Sequence, residues 1–456
     1  MTDPKILNRQ TPDLNEDQQT NLHSLEEALY RHWDLGKNIV LNWCPRESGV
    51  DVTIVPNYLT VTFLTKRRDS QDQQHPESGE ALRQDSLSEE FIKSLIAGTR
   101  QVDPATLTKI AKMLEVEPIR ISLPHSMDKG RLSRHIVDDL IRRYSISYEE
   151  GRAVILFNIV GFSLFTPFEQ ITQLNSLAYS INSAHRRALQ KNIDVDFAHT
   201  TTGDGFYVWN RERGIQANTN LYYFMHLALA DNAISRLKSQ ANTVPLLKTA
   251  FLVGSYYAMF LTEALHPSLT NYIVGDATIE LARIINGALP GQILVGDFEA
   301  QIPLNDGPEA ELIAIDSVGF IERLQEGLST LRGLELSEEK IKSIKCYLTG
   351  EHVQGDKYNI KMRQIVDKHG FSRNVFNAKI NIHRQEGEPI FLGLQERDLA
   401  RYEAGHPRNA GSPGLETSPA RPGSKDLRRA RRDLLLLEGA AVQGPEGSEA
   451  VPEGGK

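Results

Sequence analysis

Chemistry-bearing side chains fall in four stretches of this sequence. HTTTGDGFYVW, at 199–209, sets Asp204 between two glycines, with polar and β-branched residues before it and aromatics after it. Asp-Gly tolerates the positive φ of a tight turn, so this stretch predicts a β-hairpin with a carboxylate at its tip. ILFNIVGFS, at 155–163, carries Asn158 near the end of an apolar run, and TIELARII, at 278–285, carries Arg283 on a helical pattern. Asp367, His369 and Arg373 fall within seven residues of a polar turn, where they read either as a ligand-binding cluster or as a solvated hairpin loop. Each has a plainer reading beside it: Asp204 as a turn former, Arg283 as a cap or surface pair, Gly161 and Gly275 as points of tight backbone geometry. Cys44 and Cys346 lie far apart, form no metal-spaced pair and fit a reducing compartment.

The elements that must position these residues alternate. A helix, SRHIVDDLIRRYSI, leads into strand AVILFNIV, helix ITQLNSLAYSINSAHRRALQ, the GDG hairpin, helix LYYFMHLALADNAISRLK, strand TAFLVGSYYAMFL, helix TIELARIINGA and strand QILVG. This predicts an α+β sandwich over residues 131–335. Ahead of it, 1–66 read as a small mixed α/β region and 67–87 as a polar linker. Residues 88–130 read as a helical pair in which Asp103 and Pro104 open the second helix. After it, 336–400 read as a small β-rich domain, and 401–456, rich in Gly, Pro, Ser, Ala and Glu, as a disordered tail. With 456 residues the chain has room for two or three domains, and a formal charge of -8 argues against a nucleic-acid partner for the chain as a whole. The opening MTDPKILNRQTPDLNEDQQT has neither a basic nor an apolar leader pattern, and no eighteen-residue apolar run occurs, so the expectation is a cytoplasmic protein without membrane attachment.

Taken in order, ILFNIVGFS, HTTTGDGFYVW and IVGDATIELARIINGALPGQILV, with Gly161, Gly203, Gly254, Gly275 and Gly291 at matching places, resemble the signature of class III nucleotide cyclases. The resemblance implies a ferredoxin-like sandwich that converts a nucleoside triphosphate to a 3′,5′-cyclic nucleotide and pyrophosphate by attack of the ribose 3′-oxygen on the α-phosphate. It also implies two Mg²⁺ or Mn²⁺ ions held by two carboxylates on adjacent strands. Those carboxylate positions fall on Asn158 and Asp204, so the metal site is degenerate: an amide oxygen ligates but brings no charge. A loss on the order of a hundredfold to a thousandfold in turnover is expected from one missing electrostatic partner. The family's transition-state arginine falls on Arg283, its neighbouring asparagine on Ile279, its purine-reading lysine on Thr200 and its purine-reading aspartate on Tyr272. Gly161 and Phe162 fall beside the nucleotide. With both base determinants changed, a pyrimidine, or no base at all, fits better than a purine. Family sites are completed across a dimer, so a head-to-tail homodimer, or a heterodimer with an intact cyclase, is implied.

DKHG at 367–370, VFNAKINI at 375–382 and PIFLGLQ at 389–395 resemble the C-terminal sensor domain of some bacterial cyclases and SMODS-type nucleotidyltransferases, and with it the antiphage signalling cyclases of the Pycsar class. IAGTRQVDPATLTKIAKMLEV resembles the last two helices of a lambda-repressor-like domain, though the preceding turn and recognition helix cannot be placed. Three functions compete: a weak cyclase, a catalytically dead pseudo-cyclase acting as a nucleotide sensor or regulatory partner, and a DNA-binding regulator.

Overall fold

The computed structural model describes residues 14–405 apart from 59–90, 127–129, 131, 213, 240–241, 264–265, 304–310, 355–356 and 367–369. Most of the expected linker, the Asp367 and His369 positions and nearly all of the expected tail therefore lie outside the described residues. The chain divides into two units, one formed by 1–150 with 255–274, the other by 151–254 with 275–456.

In the first unit, α1 (Glu16–Trp33) opens with a capping box: the Asn15 side chain accepts the Gln18 N–H at 2.8 Å and the Gln18 side chain returns to the Asn15 N–H at 3.0 Å. Leu25, Leu29 and Trp33, four residues apart, form its buried stripe. The stripe packs on an antiparallel hairpin of β1 (Asn38–Arg46) and β2 (Gly49–Pro56), whose core residues include Val40, Trp43, Val50 and Val52. Beyond α2 (Pro104–Met113), capped by Asp103, the segment expected to be helical yields a third strand, β3 (Ile119–Ser122), antiparallel to β2. Helix α3 (Arg134–Arg142), expected to open the sandwich, instead buries Val137, Leu140 and Ile141 in this first core. Arg100 is fully buried, and its guanidinium donates to the carbonyls of Leu41 at 3.1 Å, Leu95 at 2.8 Å and Ile146 at 2.7 Å. Trp43 Nε1 donates to Asp138 Oδ1 at 2.6 Å, and so does the Arg100 backbone at 3.2 Å.

The second unit is built on β4 (Ser147–Ile159), which enters it at Gly151, followed by α4 (Pro167–Gln190), β5 (Phe197–Thr201), β6 (Gly205–Asn210), α5 (Ile215–Lys238) and β7 (Leu247–Glu263). Their order in the sheet is β7-β4-β6-β5. A β-α-β-β-α-β succession in that order is the ferredoxin-like pattern, so the α+β class expected from the alternation holds. Helix α5 is buried on nearly every side, and its buried positions include Asn218, Thr219, His226, Asp231 and Asn232 beside the apolar ones. Tyr222 on it, Phe251 on β7, and Phe298 and Phe320 form an aromatic cluster with centroids 5.4–6.0 Å apart.

The far end of β7 returns as β8 (His266–Val274), a hairpin counted with the first unit and not anticipated from the sequence. Then α6 (Asp276–Gly287) leads to β9 (Ile293–Gly296), parallel to β7. A hairpin of β10 (Glu299–Pro303) and β11 (Leu312–Asp316), helix α7 (Ser317–Leu328) and β12 (Glu335–Leu336) follow. Then come β13 (Glu339–Leu348), β14 (Gly350–Gln354), β15 (Lys357–Ile360), β16 (Met362–Val366), β17 (Ser372–Arg384), β18 (Ile390–Leu392) and α8 (Glu396–Gly405). The thirteen residues of β17 pair antiparallel with β9, β13, β16 and β18. The residues expected as a separate β-rich domain thus extend the same sheet, which runs β12-β13-β17-β9-β7-β4-β6-β5.

Candidate functional site

Two neighbouring strands bring Asn158 and Asp204 together. Asn158 of β4 is the register partner of Gly205 at the start of β6, and the Ile159 N–H donates to the Asp204 carbonyl at 2.8 Å. A Cβ at position 205 would come within 1.9 Å of the Phe157 carbonyl oxygen, so glycine is what lets the turn lie this close. Gly203 holds φ at +94°, the Gly203 N–H donates to Thr201 Oγ1 at 3.0 Å, and the Thr202 hydroxyl donates to Asp204 Oδ1 at 3.1 Å. Asp204 is therefore a turn former and a positioned carboxylate at once.

Strand alternation gives the face on which these residues act. Tyr207 sits opposite Leu156 and its hydroxyl donates to the Thr278 carbonyl of α6 at 2.8 Å, so this face of the sheet looks toward α6. Asn158, two residues from Leu156, and Thr200, opposite Tyr207, share it. On β7, Leu247 and Thr249 line a cavity with residues of α4 and α5, on the other side of the sheet. Lys248 between them projects toward the α6 face, as does Gly254, where an added Cβ would stand 3.2 Å from Ala277 of α6. The Val160 N–H donates to the Leu246 carbonyl at 2.9 Å, fastening the end of β4 to the start of β7 beside Lys248. Burial lowers the pKa of Lys248, and the Asp204 carboxylate is the influence that opposes it, so ammonium and carboxylate are electrostatic neighbours. The sequence reading missed Lys248. Its one signal was a cation at the head of the otherwise uncharged run KTAFLVG.

A pair of divalent ions does not fit this arrangement. Asn158 is neutral, Asp204 already accepts a hydroxyl and faces an ammonium, and no cluster of three His, Cys, Asp or Glu side chains suited to a metal occurs among the described residues. Asp204 and the Asn158 amide oxygen are both hard donors, the chemical kind that suits Mg²⁺ or Mn²⁺.

The remaining expected residues are distributed as follows. Arg283 lies on α6 with its guanidinium 5.6 Å from the centroid of the Phe371 ring, and the Arg373 guanidinium lies 5.9 Å from the same ring. Arg373 also pairs with Glu280 of α6 at 2.5 Å, so the polar turn singled out in the sequence is joined to the arginine helix. Ile279, half-exposed on the same helix, has only its backbone to offer, and that N–H is committed to Gly275. Gly161 takes φ of +64° at the turn after β4, and Gln170 of α4 donates to the Phe162 carbonyl at 3.0 Å, which fixes that loop. Tyr272 belongs to the first unit, on β8 opposite Met259, with 39% of its surface exposed. Both cysteines are buried, and burial pushes the Cys346 thiol up to about 11, far from a reactive thiolate. No helix among the described residues is long and apolar enough to cross a membrane.

Neither a protein-family model nor a curated protein sequence matches the chain. Among solved structures, it is similar to the guanylyl cyclase Cya2, at 13% identity and a TM-score of 0.26 over 37% of this chain and 91% of that one. It is also similar to the adenylyl cyclase CyaB from P. aeruginosa, at 14% identity and a TM-score of 0.31 over 54% and 97%. A third is a class III adenylyl cyclase-like ATP-binding protein from Pseudomonas aeruginosa, at 9% identity and a TM-score of 0.27 over 34% of each chain.

Proposed function

We propose that the second unit binds a nucleoside triphosphate in the manner of a class III cyclase and cyclises it slowly. In that reaction the bond from the ribose 3′-oxygen to the α-phosphorus forms, the α–β phosphoanhydride breaks, and pyrophosphate leaves with the proton passed to solvent. The reading rests on one observation: Asn158 and Asp204 meet across a single register step, so the two positions from which the chemistry is controlled are adjacent, with one anion between them. A bound divalent ion would neutralise phosphate charge between these two side chains. Lys248 supplies a fixed cation on the same face, where the second ion would otherwise bring charge. Thr200 and Tyr272, replacing a lysine and an aspartate, remove the purine-reading pair, so a pyrimidine triphosphate is the proposed substrate. The protein incubated with each of the four ribonucleoside triphosphates and Mn²⁺, with products read by mass spectrometry, should yield a cyclic pyrimidine nucleotide at a low rate. Fast turnover would contradict the one-anion site, and failure of every triphosphate to bind would remove the reading.

A second reading has its own observation. Arg283 is held over Phe371 and beside the Arg373–Glu280 pair. A preorganised arginine offered to another subunit's substrate is what a regulatory pseudo-cyclase in a heterodimer with an intact cyclase would contribute, in the infection-triggered signalling that the C-terminal resemblance implies. Arg283→Ala should then cut the partner's turnover with little change in binding, whereas in a nucleotide sensor it should weaken triphosphate binding instead.

A further inference from the structure

Glu280, Arg283 and Gly287 of α6 stand three and then four positions apart, so they share one stripe of the helix. The antiparallel pair of β16 and β17 lies along that stripe. Ile365 of β16 and Arg373 of β17 are direct register partners, so their side chains leave the sheet on the same face. Both reach α6. Arg373 forms the ion pair with Glu280, and a Cβ added at Gly287 would stand 2.2 Å from Ile365 Cγ2, so glycine is what admits the isoleucine this close to the helix. These two contacts lie about 10 Å apart along the helix axis, at 1.5 Å per residue. Arg283 falls between them, and the ring of Phe371, the residue before β17, lies 5.6 Å from the Arg283 guanidinium and 5.9 Å from that of Arg373.

An arginine on a helix surface samples many rotamers, and fixing its guanidinium requires groups outside its own helix. The Phe371 face supplies one such group, and the Arg373–Glu280 pair ties the strand next to that ring to the helix that carries Arg283. On the reading of Arg283 as the group offered to developing phosphate charge, we propose that the β16–β17 pair, through Phe371, sets the position of Arg283. Phe371 is then a positioning residue: it acts through the arginine and touches no substrate. The C-terminal strands thereby gain control over turnover, since whatever lifts them from α6 displaces Arg283 and leaves Asn158 and Asp204 where they are.

The test has two readouts on the full chain. The Arg283 Nε–H is followed by NMR in protein labelled with ¹⁵N-arginine, its resonance assigned by its loss in Arg283→Lys, and cyclic nucleotide formation is measured against triphosphate concentration with Mn²⁺. Phe371→Leu should move the Arg283 resonance downfield as the ring current is lost, and should lower kcat about two- to fivefold at unchanged KM, the worth of one exposed cation–π contact. Phe371→Tyr should restore both. Gly287→Ala should reproduce the effects of Phe371→Leu by wedging Ile365 off the helix, and Gly287→Ala combined with Ile365→Ala should reverse them. If Phe371→Leu fails to fold, the Gly287 variants carry both readouts. The spectrum is recorded without triphosphate, so it is independent of catalysis: the expected shift in a chain that turns over no triphosphate would keep Phe371 as what positions Arg283 and remove the cyclase reading instead. An Arg283 resonance indifferent to Phe371→Leu overturns the proposal, and so does wild-type kcat in Phe371→Leu where Arg283→Lys is slow.

Discussion

Asn158→Asp is the sharpest perturbation available, since it restores one charge at one atom pair and leaves shape unchanged. The new carboxylate would lie on β4 one register step from Asp204 and on the same face as Lys248. A unit charge about 4 Å from a unit charge near a protein surface is worth about 4 kcal/mol. That corresponds to roughly a thousandfold in rate if realised only in the transition state. Two terms reduce it: repulsion from Asp204 before a cation arrives, and attraction to Lys248, which the divalent ion must displace. A net gain of about a hundredfold is therefore expected. The assay is cyclic nucleotide formed per minute with saturating Mn²⁺, for wild type, Asn158→Asp, and Asn158→Asp combined with Asp204→Asn. The first variant should rise and the double variant should return to the baseline. Equal rates in wild type and Asn158→Asp, whether both measurable or both zero, would remove Asn158 as the limiting residue, and a double variant as fast as the single one would remove Asp204 as a ligand.

Three further predictions follow from the same structure. Lys248→Met should weaken triphosphate binding measured by calorimetry about tenfold without altering the melting temperature, the loss typical of one charge-assisted contact; unchanged affinity would show that Lys248 serves only Asp204. His226 is fully buried, its Nδ1–H donates to the Tyr222 carbonyl at 2.8 Å, and burial lowers its pKa from 6.5 to about 4. The unfolded chain therefore binds a proton first, so this contribution to stability is complete above pH 6.5 and is lost as pH falls toward 4, by about 3 kcal/mol in all. Urea melts should show that slope in the wild type and lose it in His226→Leu; identical slopes would place the titration elsewhere. Arg100→Met should destabilise the first unit by about 3–5 kcal/mol, because the carbonyls of Leu41, Leu95 and Ile146 lose their donor. A melting temperature within a degree of wild type would mean water replaces the guanidinium.

What the sequence made legible was whatever is encoded locally. The apolar run around Asn158, the GDG turn and the long helical periods of α4 and α5 gave the ferredoxin-like succession and placed Asn158 and Asp204 on neighbouring elements, because a two-residue turn leaves strand pairing little freedom. Longer-range pairing left no such trace. Strand β3 lies only four residues long behind a convincing helix, and its partner β2 is more than sixty residues upstream. Helix α3 looks the same whether its apolar face meets the first core or the second. Residues 336–400 read as strands, but nothing in their alternation says that β17 pairs with β9 rather than closing a sheet of its own. Lys248 left only the signal of a cation in an apolar run, because its importance comes from which side of β7 it occupies, and that depends on α4, α5 and α6 being in place on their respective faces.

The pairing of β17 with β9 sets the timing of folding on the ribosome. Positions 293–296 of β9 hydrogen-bond to 375–378 of β17, so one edge of β9 stays open while about eighty more residues are synthesised. Through that interval the nascent chain displays ILVG, an apolar strand with unpaired backbone groups, in a parallel pairing with β7 that is itself slow to form. Open apolar edges recruit other strands. A chain cut near residue 336, where the sequence alone would place a domain boundary, would keep that edge permanently and should collect in the insoluble fraction, while one ending after α8 should not.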